Sequence, residues 1–452
     1  MVKSSKYEID MCTGPLMPKM IKFAIPLMLA NTLQLLYNAA DVIVVGNFAG
    51  TQSLSAVGST GTMINLVICL FSGMSVGTSV VMSQNYGSKN YEGMQKTVHT
   101  SIMLAIIGGV LMGAIGYILT PTLLELMNSP EDVIGKATTY MRIYFLGMPF
   151  NMVYMFGSAI LRAVGDTKRP LYFLSIAGLF NVGLNLIFVI VFHMDVAGVA
   201  IATITAQAIS MVFVVRCLIK SEGPLNFNYK KLKIHNVEFV QILKIGLPAG
   251  VQGAMFSVSN VIIQSTINTF GSVVMAACAA SSSIEGFIFT SMNAISQANV
   301  NFASQNLGAK KYKRMRRCLW TCLGLVVIVL ACISGIIFLF SEQLVSLYNS
   351  DPEVIAIGVY KLKFMAVSYL VCAFMDVTVS HLRGIGKSLI PMITSIVGVC
   401  GLRIFWIYVI FPINPVIESV YWSYPISWFI TAATLLIGCA IVSRKFPKED
   451  LQ

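Results

Sequence analysis

Charge is scarce in this chain. Only 11% of its 452 residues are Asp, Glu, Lys or Arg, against 56% hydrophobic; a soluble domain carries about 25% charged residues. So few charges cannot keep a globule of this size wetted. That excludes an ordinary cytosolic enzyme, a disordered protein and a secreted disulfide scaffold. The ten cysteines form no CxxC, and most sit inside apolar runs, where a thiol behaves as a small hydrophobe. Neither a disulfide framework nor a zinc site is expected. The four histidines are scattered, and no P-loop, HExxH or GxSxG is present. No enzyme, no cofactor and no ATP-driven transport by this chain alone is expected. The drive left for a transporter is an ion gradient, Na⁺ or H⁺.

What the chain has instead is long apolar runs. A membrane-spanning helix needs about 20 mostly apolar residues. Twelve such runs are read, at 17–46, 55–83, 97–120, 137–160, 169–192, 196–219, 237–266, 275–303, 317–340, 356–381, 388–411 and 418–442. Unpaired amides are not tolerated in hydrocarbon, and nothing resembles alternating barrel strands, so the spans are helices. The expected fold is an all-α polytopic membrane protein. The first fifteen residues are polar and no cleavable signal is read, so the first span itself enters the membrane.

The net charge of +12 raises the question of nucleic acid, and its distribution answers it. Of 31 basic residues, 26 fall on one side of this layout. They lie near the start (Lys3, Lys6, Lys19, Lys22), after the even-numbered spans, and around the link after span 6. Lys136, Arg142, Lys361 and Lys363 fall on the other side, and Arg403 lies within a span. Basic residues gather on the cytoplasmic face. Both termini are therefore expected in the cytoplasm, in the plasma membrane, with lipid as the surroundings and no nucleic acid or obligate protein partner.

The chain also repeats itself. Ser83-Gln84-Asn85-Tyr86-Gly87-Ser88-Lys89 returns as Ser304-Gln305-Asn306-Leu307-Gly308-Ala309-Lys310, and Leu161-Arg162-Ala163-Val164-Gly165 as Leu382-Arg383-Gly384-Ile385-Gly386. Asn47/Asn268 and Gly50/Gly271 share the same offset of 221 residues. Six spans per copy return the chain to its starting side, so the copies run in parallel about a pseudo-twofold axis along the membrane normal. The domains read as 1–219 and 237–452, two six-helix bundles joined by a polar, basic linker at 220–236. Pro26 and Pro248 occupy matching places in spans 1 and 7, where proline bends a helix. Each is either a fixed kink or a hinge for alternating access.

Three acids lie within spans: Asp41, Glu285 and Asp376. A mid-bilayer carboxylate costs at least about 2.5–3.5 kcal/mol, so each is a candidate functional residue. Asn31, Gln34, Asn38 and Asp41 fall within an arc of about 80° on one helix face. Such a polar stripe must face protein or water. Asp41, with Gln34 and Asn38, is the candidate cation-coupling group: it can take up and release a proton, or hold Na⁺ among amide oxygens. The alternative is a structural acid satisfied by hydrogen bonds. Span 7 carries Ser257, Asn260 and Gln264 without an acid. Asn181 and Asn185, four apart on one face, and Thr203 on span 6 line either a polar cavity of the first half or a helix contact. Glu285 and Arg403 are placed at similar depth and are a candidate pair. Asp376 lies near the inner end of span 10, as a wetted helix end or a binding group; with Asn260, Glu285 and Arg403 it makes the candidate cavity of the second half. The 25 Met and 26 Phe can line a forgiving pocket or simply pack.

These features resemble the multidrug and toxic compound extrusion family. The resemblance rests on the bent first helix with Asn38-Ala39-Ala40-Asp41, the twin SQNxGxK segments and the twin LRxxG segments, and spans about 15–442. It implies two six-helix bundles in a V that opens alternately to each side, exporting cationic, amphipathic compounds against inward Na⁺ or H⁺. The family's first-helix acid falls on Asp41 and its nearby Gln on Gln34. A fifth-helix Asn–Asp pair falls on Asn181 and Asn185, so the acid is replaced; the sixth-helix Thr falls on Thr203. A seventh-helix Glu falls near Phe256 and Ser257 and is lost. Asp376 stands in for a tenth-helix acid, with shorter spacing to the LRG segment. The alternative, a flippase of lipid-linked saccharides, is expected to show a basic central cavity, whereas only Arg403 is read within a span.

Overall fold

The computed structural model describes residues 7–126 and 131–450. Lys3 and Lys6 lie outside them, as do the side chains of Ser59 and Thr62. All regular structure described is helical, as amides that must be satisfied within their own segment require. The first half holds α1 (Leu16–Phe48), α2 (Thr51–Gly87), α3 (Tyr91–Leu126), α4 (Glu131–Leu146), α5 (Met148–Ala163), α6 (Lys168–Leu186) with a π-helical extension at Ile187–Val191, and α7 (Asp195–Lys220). The second holds α8 (Asn236–Asn268), α9 (Ser272–Gly308), α10 (Tyr312–Ser346), α11 (Pro352–Gly384), α12 (Leu389–Ser395), α13 (Leu402–Phe405) and α14 (Ile417–Arg444). Two π-helical turns, Ile396–Gly401 and Trp406–Ile410, flank α13 and join it into one continuous span. Eleven described helical stretches are long and apolar enough to cross a membrane.

The fourth span departs from expectation. It is not one helix over 137–160 but α4 and α5 meeting at a 47° bend. Pro149 stands at the start of α5, two residues after Gly147. A proline there has no N–H to continue the α4 ladder. At the equivalent place α11 carries Leu370 and runs through unbroken.

The repeat is visible in backbone conformation. Gly50 and Gly271 open α2 and α9 at φ 85 and 92. Lys89 and Lys310 follow those helices at φ 56 and 57, and Gly165 and Gly386 follow α5 and α11 at φ 94 and 78. Ser83 Oγ donates to Ala163 O at 3.3 Å, and Ser304 Oγ to Gly384 O at 2.8 Å. All four pairs share the offset seen in the sequence. The loop after α5 is tight. Asp166 is fully buried and its carboxylate caps Arg169 N at 3.1 Å. Burial pushes its carboxyl above the ordinary value, and the adjacent Arg169 guanidinium opposes that rise.

Packing divides the chain differently from the linker. One compact unit takes the described residues up to Asp10 and Leu29–Leu247; the other takes Met11–Met28 and the chain from Pro248 onward. The boundary therefore runs within α1, close to Pro26, and within α8 at Pro248, rather than at 220–236. In the first unit the linker is tied to α3: His99 contacts Asn228 O at 3.2 Å and Thr100 accepts from His235 N at 3.0 Å. In the second, the segment before α1 is held by Arg314, which donates to the carbonyls of Met11, Thr13 and Gly14. The start of α1 packs Phe23 edge-on against Phe302 at 5.8 Å.

Candidate functional site

The site in the first unit is built by α1, α6 and α7. Asp41 is half-buried, and its Oδ1 accepts a short hydrogen bond from Asn185 Nδ2. Asn185 is fully buried and its own Oδ1 has no donor. One turn earlier on the same face, Asn181 donates to Thr203 Oγ1 at 3.4 Å. The four-residue spacing on α6 thus aims one amide at α1 and the other at α7. The α6 helix changes to π-helical winding directly beyond, at Ile187–Val191, and such turns commonly mark functional positions. Tyr37 on α1 donates to Ser175 O at 3.2 Å, and its ring lies against Gly178, where any β-carbon would collide with it. That close approach seats the C-terminal half of α1 on α6. Among the described residues no basic group lies within ion-pairing distance of Asp41. The hydrogen-bond partner of the carboxylate is the Asn185 amide, and the phenols of Tyr140 and Tyr144 on α4 lie nearby. Gln34 and Asn38 are exposed and hydrogen-bond each other at 3.4 Å; the hydrogen bond to Asp41 comes from Asn185 instead.

The second unit is chemically different. Glu285 on α9 pairs with Lys361 on α11 at 3.1 Å, both buried, and accepts from Tyr369 at 3.3 Å. Lys361 also donates to Ser282 Oγ at 2.9 Å. The expected Glu285–Arg403 pair does not form. Equal depth says nothing about which way a helix face points, and α11 offers the nearer cation. Lys361 was expected on the outer side; it lies within α11 and is buried there, so among the described residues both Lys361 and Arg403 are buried in long apolar helices. Arg403 donates Nε to Ser427 at 3.1 Å and Nη1 to Asn260 at 3.3 Å, and stacks over Tyr424 at 4.3 Å and Trp428 at 5.3 Å. Asp376 is not a wetted helix end. Its Oδ2 is enclosed without a hydrogen-bond partner, and α11 continues to Gly384. It belongs to neither group above. Arg383 instead donates to Gln252 Oε1 at 2.8 Å.

Sequence reasoning grouped Asn181 and Asn185 with Thr203, and Asn260 with Arg403; it set Asp41 with Gln34 and Asn38, and the contact of Asp41 with Asn185 is a finding of the structure. It missed the phenols of Tyr140 and Tyr144 and the aromatic group Tyr369, Tyr424 and Trp428. Their only sequence signal was a hydrophobic run like any other.

Long spanning helices in two repeated halves, one enclosing a carboxylate without a counter-ion, define a polytopic membrane transporter. A profile described as MatE matches twice, over residues 26–187 and 248–409, once in each half. The chain belongs to the MatE family, the multidrug and toxic compound extrusion transporters. Among its relatives, the probable multidrug resistance proteins YpnP and YoeA of Bacillus subtilis (strain 168) are 29% and 28% identical; the matches cover 87% and 84% of this chain and 88% and 84% of theirs. The fold matches that of a MOP superfamily transporter from Pyrococcus furiosus with a TM-score of 0.91 at 20% identity, covering 98% of this chain and 99% of that one.

Proposed function

We propose that the chain is a secondary exporter of cationic or amphipathic compounds, driven by inward movement of one monovalent cation, Na⁺ or H⁺, through Asp41. The observation that carries this is the Asp41 carboxylate, set in a spanning helix with an amide partner and no base. A carboxylate neutralised by a fixed arginine or lysine has no reason to exchange an ion. One held only by amides has. When Asp41 is ionised, Asn185 Nδ2 stabilises it, and Asn185 Oδ1 offers an oxygen beside the same carboxylate. Hard oxygen donors of this kind suit Na⁺; a proton requires only Asp41. Each charge entering across 100 mV supplies about 2.3 kcal/mol. The names of YpnP and YoeA support the multidrug class of substrate. The placement of basic residues supports a plasma-membrane orientation with both termini in the cytoplasm.

The test is export from vesicles with an imposed Na⁺ or H⁺ gradient, using wild type and Asp41→Asn. Wild type is expected to export under one of the two gradients, and Asp41→Asn, expressed to the same level, under neither. Wild-type export by Asp41→Asn would remove this carboxylate from the mechanism.

A further inference from the structure

The second unit contains a buried cation with no acid of its own. Arg403 is only 4% exposed. Glu285 is occupied by Lys361 and Tyr369, and among the described residues no carboxylate lies within ion-pairing distance of the guanidinium. A guanidinium has five N–H donors; here one goes to a serine hydroxyl and one to an amide oxygen, both neutral. Removing a charge from water without an opposite charge is costly. The rings of Tyr424 and Trp428 repay part of that cost through their faces. They also leave one side of the guanidinium plane bounded by aromatic surface.

The helix is locally rewound at this point. Arg403 lies in α13, a single turn with π-helical winding on both sides. Through the 221-residue offset, Arg403 falls one position from the equivalent of Asn181. Asn260 on α8, through the 222-residue spacing of Pro26 and Pro248, is the equivalent of Asn38, three residues before Asp41. The same pair of helices that presents an acid and two amides in the first unit therefore presents an amide and a guanidinium in the second.

We propose that Arg403, with Asn260 and Ser427, is a binding site for the oxyanion, carboxylate or phosphate, of an amphipathic molecule whose ring or chain lies on Tyr424 and Trp428. A planar fork with unused donors matches such a group in geometry and charge. The site extends the range of exported compounds to zwitterions and anions, and for that consequence it rests on the exporter reading. Binding itself does not, because it needs no gradient and no Asp41.

The experiment uses the purified full-length chain in detergent and two dansyl probes of the same ring, dansylglycine (one carboxylate) and dansylcadaverine (one amine). Binding is measured by fluorescence and by energy transfer from tryptophan. Arg403→Gln is expected to weaken dansylglycine about tenfold or more and to leave dansylcadaverine unchanged; Arg403→Lys, which keeps the charge, is expected to recover much of the loss. If Arg403→Gln does not fold, Trp428→Phe serves, and is expected to remove most of the energy transfer to bound dansylglycine only. Displacement of dansylglycine by dioctanoyl phosphatidylglycerol assigns the site to a lipid phosphate; retention assigns it to a free amphipathic solute. Unchanged dansylglycine binding in Arg403→Gln, or equal weakening of both probes, overturns the proposal and leaves Arg403 a packing strut.

Discussion

At the scale of single residues, the distinction that matters is between acids with a base and acids without one. Glu285 and Lys361 form a closed pair. Breaking a buried pair by removing one partner costs about 3–5 kcal/mol because the other charge is stranded. Glu285→Gln is therefore expected to lower the unfolding temperature in detergent markedly, and Glu285→Gln with Lys361→Met to recover most of the loss. Asp41 behaves oppositely. Asp41→Asn removes a charge that has no base to strand, so stability should hold while export is lost. Asn185→Ala removes the charged-group hydrogen bond to Asp41, worth about 1.5–3 kcal/mol. Export is expected to fall about tenfold or more, read as initial rate in vesicles. Asp41 was legible because acids are so rare here, and Asn181 with Asn185 because four-residue spacing on a helix sets two side chains on one face; that Asn185 reaches Asp41 was not. The partner of Glu285 was not. Pairing between helices depends on rotation about each helix axis, which counting along the chain does not reveal.

At the scale of elements, the spans were readable because bilayer thickness dictates their length and polar loops punctuate them. The break in the fourth span was not readable, since Pro149 sits within an otherwise apolar stretch that scans as continuous. The loops carry the strictest local demands. Gly165 has φ +94, and a β-carbon there would lie 2.5 Å from Ile9 O; Gly271 has φ +92 but open space around it. Gly271 pairs that φ with ψ 174, a region essentially reserved for glycine that costs another residue about 1–3 kcal/mol. Gly271→Ala is expected to lose about that much, and Gly165→Ala more, as a lower thermal midpoint and a lower yield of folded protein.

For the whole molecule, the repeat was the legible feature, and the basic residues carry the expectation for orientation. A green fluorescent protein fused after the last residue is expected to fluoresce, and alkaline phosphatase fused there to be inactive, since it matures only outside the cytoplasm; the reverse result would invert the topology. The packing units were not legible. The linker is the obvious seam in composition, yet α1 and α8 each divide near their proline between the two units, because helix contacts and not polarity decide which residues belong together.

The matched backbone anchors, Gly50 with Gly271, Lys89 with Lys310 and Gly165 with Gly386, all lie at helix ends, and none carries a charge into the interior. A gene that doubled once could keep these fixed points in both copies while the buried positions drifted apart, one copy keeping an acid among amides and the other an ion pair and a separate arginine. Substrate range in such a protein becomes a trait that can be rewritten one half at a time, without renegotiating how the chain folds.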